Sequence, residues 1–169
     1  MKLGTGDIAR VLPNRDDLYF FAAGVSNSQE TRESEYAREI RTMLDLSGGI
    51  GHIVYFSSLC VFYSDSRYAR HKREMEENVK SAFETYTIVR LGNIAWRSKN
   101  PHTLINFLRA RVEADLPLDI QDTYRYVVSK DEFLHWINMI PAWSCELNIP
   151  GRRMKVRDIV SEYVLAKQP

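Results

Sequence analysis

Residues 52–58 read His52-Ile53-Val54-Tyr55-Phe56-Ser57-Ser58, in which the apolar run Ile53–Phe56 leads into two hydroxyls. A strand with one wet face alternates apolar and polar residues. An unbroken run rich in β-branched and aromatic side chains is how a strand covered on both faces reads, and it points to a parallel sheet. The same signature recurs on either side, in Leu18-Tyr19-Phe20-Phe21-Ala22-Ala23 and in Tyr86-Thr87-Ile88-Val89-Arg90-Leu91. Small or polar residues follow each run: Gly24-Val25-Ser26, Ser57-Ser58 and Gly92-Asn93. Ligands of open α/β sheets bind just past the carboxyl ends of the strands, so these junctions are expected to frame a site.

Helical periodicity fills the gaps. Residues 29–46 place Tyr36, Ile40, Met43 and Leu44 at helical spacing and stop at Gly48-Gly49. Residues 66–84 do the same with Tyr68, Met75, Val79, Ala82 and Phe83, and Glu76 and Lys80 stand one turn apart as a surface pair. The result is a βαβ series with right-handed crossovers. Past Asn93 the pattern loosens. It predicts a helix over 101–115, short strands at Leu116-Pro117-Leu118 and Tyr126-Val127-Val128, and a helix over 131–140 with Ser129 as its cap. A strand at 146–149 and a last helix over 156–166 complete it. No repeat or linker interrupts the chain, so one domain over 1–169 is expected, with residues from about 95 to 169 forming a small lobe.

Composition narrows the classes. Of 169 residues, 44% are apolar, 27% charged and 11% aromatic, and 23 Lys and Arg against 22 Asp and Glu leave a net charge of +1. These are the fractions of a soluble globular protein, and they exclude collagen, coiled coil and disordered chain. The near-neutral balance gives no electrostatic reason to expect nucleic acid or an anionic membrane as partner. Cys60 and Cys145 cannot build a disulfide framework, which points to a reducing cytoplasm. No apolar run approaches the ~20 residues of a membrane span, and Met1 leads into no signal-peptide core. His52, His71, His102 and His135 lack metal-ligand spacing, so no metal is expected. The basic run Arg67–Arg73 reads as a solvated helix face, because Glu74, Glu76 and Glu77 follow it. Trp96, Trp136 and Trp143 read as packing residues, and Trp96, close to Asn93, has a second reading as a wall of a substrate cleft.

Chemistry concentrates after the 52–58 strand. Tyr68 and Lys72 are four residues apart, about one helical turn, so their side chains emerge on one face opposite Ser58. A free tyrosine, with a pKa near ~10, is a poor acid–base group at neutral pH. A neighbouring ammonium favours the phenolate and lowers that value by ~1–3 units. Ser58 is then placed to hold a carbonyl or alcohol oxygen while Tyr68 exchanges its proton. Tyr63 lies in the same loop but has no Lys four residues on, which makes it the second candidate. At the amino terminus, Gly4-Thr5-Gly6-Asp7-Ile8-Ala9 fits G-x-G-x-x-A, in which glycines let backbone approach a pyrophosphate at a helix start. A plain surface turn has the same composition. Only Met1–Leu3 precede it and only Arg10–Asp17 follow it before the next strand. The second and third strands of a full doubly wound sheet therefore have no room.

Taken in order, these segments resemble the extended short-chain dehydrogenases/reductases, the NAD-dependent epimerase/dehydratase group that acts on nucleotide sugars. His52–Ser58 followed by Tyr68-Ala69-Arg70-His71-Lys72 is similar to that group's catalytic core. Phe20-Phe21-Ala22-Ala23-Gly24 resembles its cofactor-facing strand, and Val89-Arg90-Leu91-Gly92-Asn93 its Arg-x-x-Asn segment. The stretch from Arg125-Tyr126-Val127-Val128 to Ser129-Lys130-Asp131-Glu132 looks like its Arg-to-Asp stretch. Leu147-Asn148-Ile149 through Val156-Arg157-Asp158-Ile159-Val160 is similar to its Asn-Ile turn and following helix. The likeness runs from residue 17 to 165.

The resemblance implies a Rossmann-like parallel sheet with flanking helices, truncated in its amino-terminal half, plus a small carboxyl-terminal lobe on the substrate side. It implies NAD or NADP held by Ala22, Ala23, Gly24, Phe56, Ser57, Tyr68, Lys72, Leu91, Gly92 and Asn93, to which the glycine pattern, outside the likeness, adds Gly4, Thr5, Gly6, Asp7 and Ile8. Tyr68 would be the acid/base, Lys72 would bind the nicotinamide ribose and tune Tyr68, and Ser58, Asn93 and Arg125 would face the substrate, with Trp96 added by its place near Asn93. The implied activity is that of an NAD(P)-dependent oxidoreductase or epimerase working on a hydroxyl or keto group of a nucleotide sugar. The alternative is a non-catalytic relative that senses nucleotide or binds protein. The resemblance also implies a homodimer through helices 29–46 and 66–84, with Tyr36, Ile40, Met43, Met75, Val79 and Phe83 as its seam.

Overall fold

The run at 52–58 is the middle strand of a five-stranded parallel sheet in the computed structural model of the chain, which describes residues 1–96, 100–118, 120 and 122–166. The strands are β1 (Lys2–Leu3), β2 (Tyr19–Phe21), β3 (His52–Ser58), β4 (Thr85–Leu91) and, at the far edge, β7 (Cys145–Ile149). Between β4 and β7 the chain makes β5 (Asn93–Ile94) and β6 (Tyr124–Val128), which join β8 (Arg152–Lys155) in a separate three-stranded sheet. The helices are α1 (Asp7–Val11), α2 (Glu33–Leu44), α3 (Arg67–Ala82), α4 (Leu104–Glu113), α5 (Lys130–Asn138) and α6 (Val156–Ile159), the last running into a π-helical turn at Val160–Leu165.

The unbroken apolar runs are explained by two covered faces. Phe20, Val54, Phe56, Val89 and Leu91 pack on one side of the sheet with Leu12, Phe133 and Ile137, the last two from α5. Phe21, Ile53, Tyr55 and Ile88 pack on the other with Met43 of α2 and Met75 and Val79 of α3. Together this is a Rossmann-like α/β fold. The strand order follows the chain, yet the helices change faces: Ile8 and Val11 of α1 pack on the first side, α2 and α3 on the second. A crevice between β1 and β2 at the carboxyl ends follows from that change.

Several expectations are corrected. Met1–Leu3 do supply a strand: Lys2 and Leu3 pair with Phe20 and Phe21, closed by hydrogen bonds from the Phe20 and Ala22 N–H groups at 2.9 and 2.8 Å. Helix α2 begins at Glu33, four residues later than periodicity suggests, without a side-chain cap. By contrast Ser66, Thr103 and Ser129 cap α3, α4 and α5 through their hydroxyls. Leu116-Pro117-Leu118 forms no strand; the carbonyl of Pro117 is held by the Arg111 side chain instead. Strand β8 was not anticipated because Arg152-Arg153-Met154-Lys155 lies at an antiparallel edge with only Met154 buried. Glu76 is not a surface partner of Lys80. It is 4% exposed and pairs with Arg90, while Lys80 reaches Glu77 and Glu146.

The seam expected for a dimer is consumed within the chain. Tyr36, Met43, Met75 and Val79 are fully buried, and Ile40 and Phe83 pack onto the same cluster as Met43. Apart from Ala37 and Leu44, the exposed positions of α2 and α3 are polar, with Glu33, Arg41, Arg70, Glu74 and Glu77 outermost. Among the described residues no helix is long and apolar enough to cross a membrane.

Candidate functional site

A cleft of about 790 Å³ opens across the carboxyl ends of β1 to β4. It collects Gly4 to Ile8, Ala22 to Gly24, Phe56 to Ser58, Tyr68, Lys72, Leu91 to Asn93 and Arg125. These stretches lie up to some 120 positions apart in sequence, and the register of the parallel sheet brings them together.

Two glycines serve geometry rather than flexibility. Gly4 has φ of 122°, and a methyl there would overlap the Ala22 carbonyl, so only glycine lets β1 turn this close to the end of β2. Gly6, the residue that leads into α1, lines the cleft and has open space where a Cβ would stand.

Ser58 sits at the tip of β3, lines the cleft, and its Oγ accepts from the Cys60 N–H at 3.3 Å. The neighbouring Ser57 is turned away and donates to Glu76 Oε1 at 2.6 Å. Glu76 is gripped by Arg90 through two contacts of 2.9 and 2.6 Å, and Arg90 also reaches Glu146 at 2.6 Å. The side chain of Ser57 thus anchors the end of β3, and only its backbone faces the cleft. Asn93 donates to the Tyr126 carbonyl at 2.9 Å, tying the rim to the smaller sheet. Arg125 contacts Thr123 and the Tyr124 carbonyl, and among the described residues no carboxylate pairs with it.

Tyr68 is half-buried on α3, and its hydroxyl has no hydrogen-bond partner among the described residues. The expected tuning by Lys72 does not operate as foreseen. Burial, and after it Cys60 and Glu39, push the Tyr68 phenol above the usual tyrosine range. The reason lies in the partners of Lys72. Its Nζ is 5.6 Å from the Tyr68 ring centre but donates to Glu39 Oε1 at 3.0 Å and to the Tyr55 hydroxyl at 2.9 Å. Glu39 is wholly buried and also accepts from the Tyr55 hydroxyl at 2.8 Å, the Val25 N–H at 2.6 Å and His71 Nε2 at 3.0 Å. Although burial opposes its charge, Lys72, His71 and the Val25 N–H hold its carboxyl well below the ordinary range.

Glu39 was missed by sequence reading. The signal was present: it stands three residues after Tyr36 and four before Met43, on the buried stripe of α2. Trp96 is the opposite case. It does not line the cleft; its ring packs on Phe133 with centres 5.2 Å apart, and its Nε1 donates to the Asp7 carbonyl at 3.4 Å. It belongs to the core beneath the glycine turn because its indole is held between α1 and α5. His52 and His71 are buried and hydrogen-bonded to Thr87 and Glu39, and the described residues hold no group of His, Cys, Asp or Glu fit for a metal ion.

No protein-family model matches this sequence, and no curated protein matches it either. Solved structures do share the fold. A double mutant of DesIV, the dTDP-glucose 4,6-dehydratase of Streptomyces venezuelae, determined with NAD and DAU, superposes at a TM-score of 0.69 with 18% identity over 86% of this chain and 56% of that one. MoeE5 in complex with UDP-glucose and NAD gives 0.69 with 17% identity, over 86% of this chain and 60% of its own. The UDP-glucuronic acid 4-epimerase of Bacillus cereus, with UDP-glucuronic acid and NAD, gives 0.67 with 15% identity, over 86% and 57%. The chain spans little more than half the length of these proteins.

Proposed function

We propose that the chain is an NAD(P)-binding oxidoreductase or epimerase of the extended short-chain dehydrogenase type, acting on a hydroxyl or keto group of a nucleotide-linked sugar. The observation that carries this reading is the convergence of the glycine turn, the Ala22–Gly24 turn, Ser58, Tyr68, Lys72 and Asn93 in one cleft. The proteins of like fold were determined with NAD, and two of them with a UDP-sugar, which supports the same reading.

The residues present fit a dinucleotide. The open side of Gly6 leaves room for a pyrophosphate against the first turn of α1, where a side chain would stand in the way. Ala22, Ala23 and Leu91 would flank the cofactor, and one of the three donors of Lys72 remains for a ribose hydroxyl. When bound, the nicotinamide group supplies the hydride carrier. Ser58 orients the reacting oxygen by donating to it, Tyr68 holds the proton that oxygen exchanges, and Arg125 offers a guanidinium to a substrate phosphate at the rim.

Fluorescence titration with NADH and NADPH tests binding, and turnover of UDP- and dTDP-linked sugars tests chemistry. Tyr68→Phe is expected to keep cofactor affinity while turnover falls by ~10²–10⁴-fold. Turnover unaffected by Tyr68→Phe would refute the role given to this residue. Absence of NADH and NADPH binding would refute the reading of the cleft.

A further inference from the structure

The Glu39–Lys72 pair is the centre of a buried polar cluster that lies directly beneath the cleft. A Cβ on Gly24 would stand 2.6 Å from Glu39 Oε1 and 3.0 Å from Lys72 Nζ. The pair therefore forms the floor under the Gly24-Val25 turn, and Glu39 holds that turn through the Val25 N–H. The four donors that reach Glu39 come from three separate segments: Val25 after β2, Tyr55 of β3, and His71 and Lys72 of α3. A carboxylate with no exposed surface is stable only with such compensation.

We propose that Glu39 is a positioning residue of the Tyr68–Lys72 site: its carboxylate pins the Lys72 ammonium and offsets its charge, so that Lys72 serves the site as a fixed hydrogen-bond donor. This rests on the cleft reading above and deepens it, because the charge that Lys72 presents to Tyr68 decides how readily that residue gives up or takes a proton. The geometry accounts for both halves. Two of the three Lys72 donors are committed at 3.0 and 2.9 Å to Glu39 and Tyr55, which fixes the ammonium in place. An ammonium paired this closely with a carboxylate presents a dipole to Tyr68 rather than a unit charge, and the field of a dipole falls off faster. The groups facing Tyr68 from the surrounding elements are Glu39 and Tyr36 of α2, Cys60 and Tyr63 of the turn after β3, Tyr55 of β3, and Lys72 of its own helix. Lys72 is the one cation among them, and Glu39 is what offsets it.

The test follows Tyr68 itself and needs neither cofactor nor substrate. In protein labelled at the tyrosine ζ-carbon, the Tyr68 resonance is assigned by its loss in Tyr68→Phe and followed against pH. In the unsubstituted chain it is expected to keep the phenol shift through the alkaline range in which the protein stays folded. Glu39→Gln unmasks the ammonium and should move the phenol-to-phenolate transition down by at least ~1 pH unit. The double variant Glu39→Gln/Lys72→Met removes both charges and should return Tyr68 to unsubstituted behaviour. A change of packing alone would not produce this reversal. An unmoved Tyr68 transition in Glu39→Gln, or a double variant that behaves like the single one, would overturn the proposal. If Glu39→Gln fails to fold, the double variant decides alone: early phenolate there overturns it, and a retained phenol supports it. NADH titration of the unsubstituted chain, run in parallel, separates the two readings, since lost binding with an intact Tyr68 response would count only against the function.

Discussion

Substituting alanine separately at Gly4 and Gly6 divides what the glycine turn does for the fold from what it does for a ligand. At Gly4 the backbone stands at φ of 122°, and an added methyl would meet the Ala22 carbonyl. A strained backbone of this kind costs ~1–3 kcal/mol, and relieving the overlap requires β1 to part from β2. That parting puts at risk the hydrogen bonds at 2.9 and 2.8 Å that join the two strands, each worth ~0.5–1.5 kcal/mol. The two routes are alternatives rather than additive, so Gly4→Ala should destabilise the protein by ~2–3 kcal/mol, or ~4–12 °C in Tm for a chain of this size. Gly6 has φ of −70° and nothing near its Cβ position, so alanine fits there without strain. The weaker N-cap and the stiffer unfolded chain oppose each other at a few tenths of a kcal/mol. Gly6→Ala should therefore leave stability within ~0.5 kcal/mol and weaken NADH by at least ~10-fold, equivalent to ~1.4 kcal/mol. Urea unfolding and NADH fluorescence read the two quantities independently. NADH affinity unchanged in Gly6→Ala would refute the turn as a phosphate cradle, and a fully stable Gly4→Ala would refute the steric account of β1.

Glu76→Gln leaves the buried Arg90 guanidinium with only the partly exposed Glu146 as a charged partner, so a loss towards the lower end of ~3–5 kcal/mol is expected by urea denaturation. Trp96→Ala should cost ~2–4 kcal/mol by removing the ring packed on Phe133, while UDP-sugar and NADH affinities change little; a large loss of affinity with stability intact would return Trp96 to the cleft. For pH, the carboxyl of Glu39 titrates lower in the folded protein than its ordinary value of 4.5, so the unfolded chain binds the extra proton. The stability this confers is complete above that value and declines as pH falls through it towards the folded pKa. Glu39→Gln/Lys72→Met should accordingly show a flatter acid limb in Tm against pH than the unsubstituted chain, and parallel limbs would contradict the linkage.

Some of this molecule is decided locally. The runs at 18–23, 53–56 and 86–91 carry apolar residues on both faces with hardly a break, which is how a strand covered on both sides reads, so the parallel sheet and the place of its carboxyl ends were legible. The cap Ser129 and the Tyr68–Lys72 spacing are equally local, because a helix sets them within one turn. Other features depend on partners far along the chain. Strand β8 exists because Tyr124–Val127 pair with it, and its own charged sequence says nothing of that. Spacing puts Glu39 on the buried stripe of α2, but its charge argues for solvent, and the burial is tolerated only because Lys72 and His71, 33 and 32 positions away, supply its compensating donors. The same contact redirects Lys72 from Tyr68 to Glu39, and the stacking of Trp96 on Phe133 takes the indole out of the cleft. Local sequence sets which backbone forms and which faces are apolar. Where a charge or ring finds its partner is settled only when separate elements pack, because desolvation makes a buried group's energy depend on neighbours it meets in space rather than along the chain.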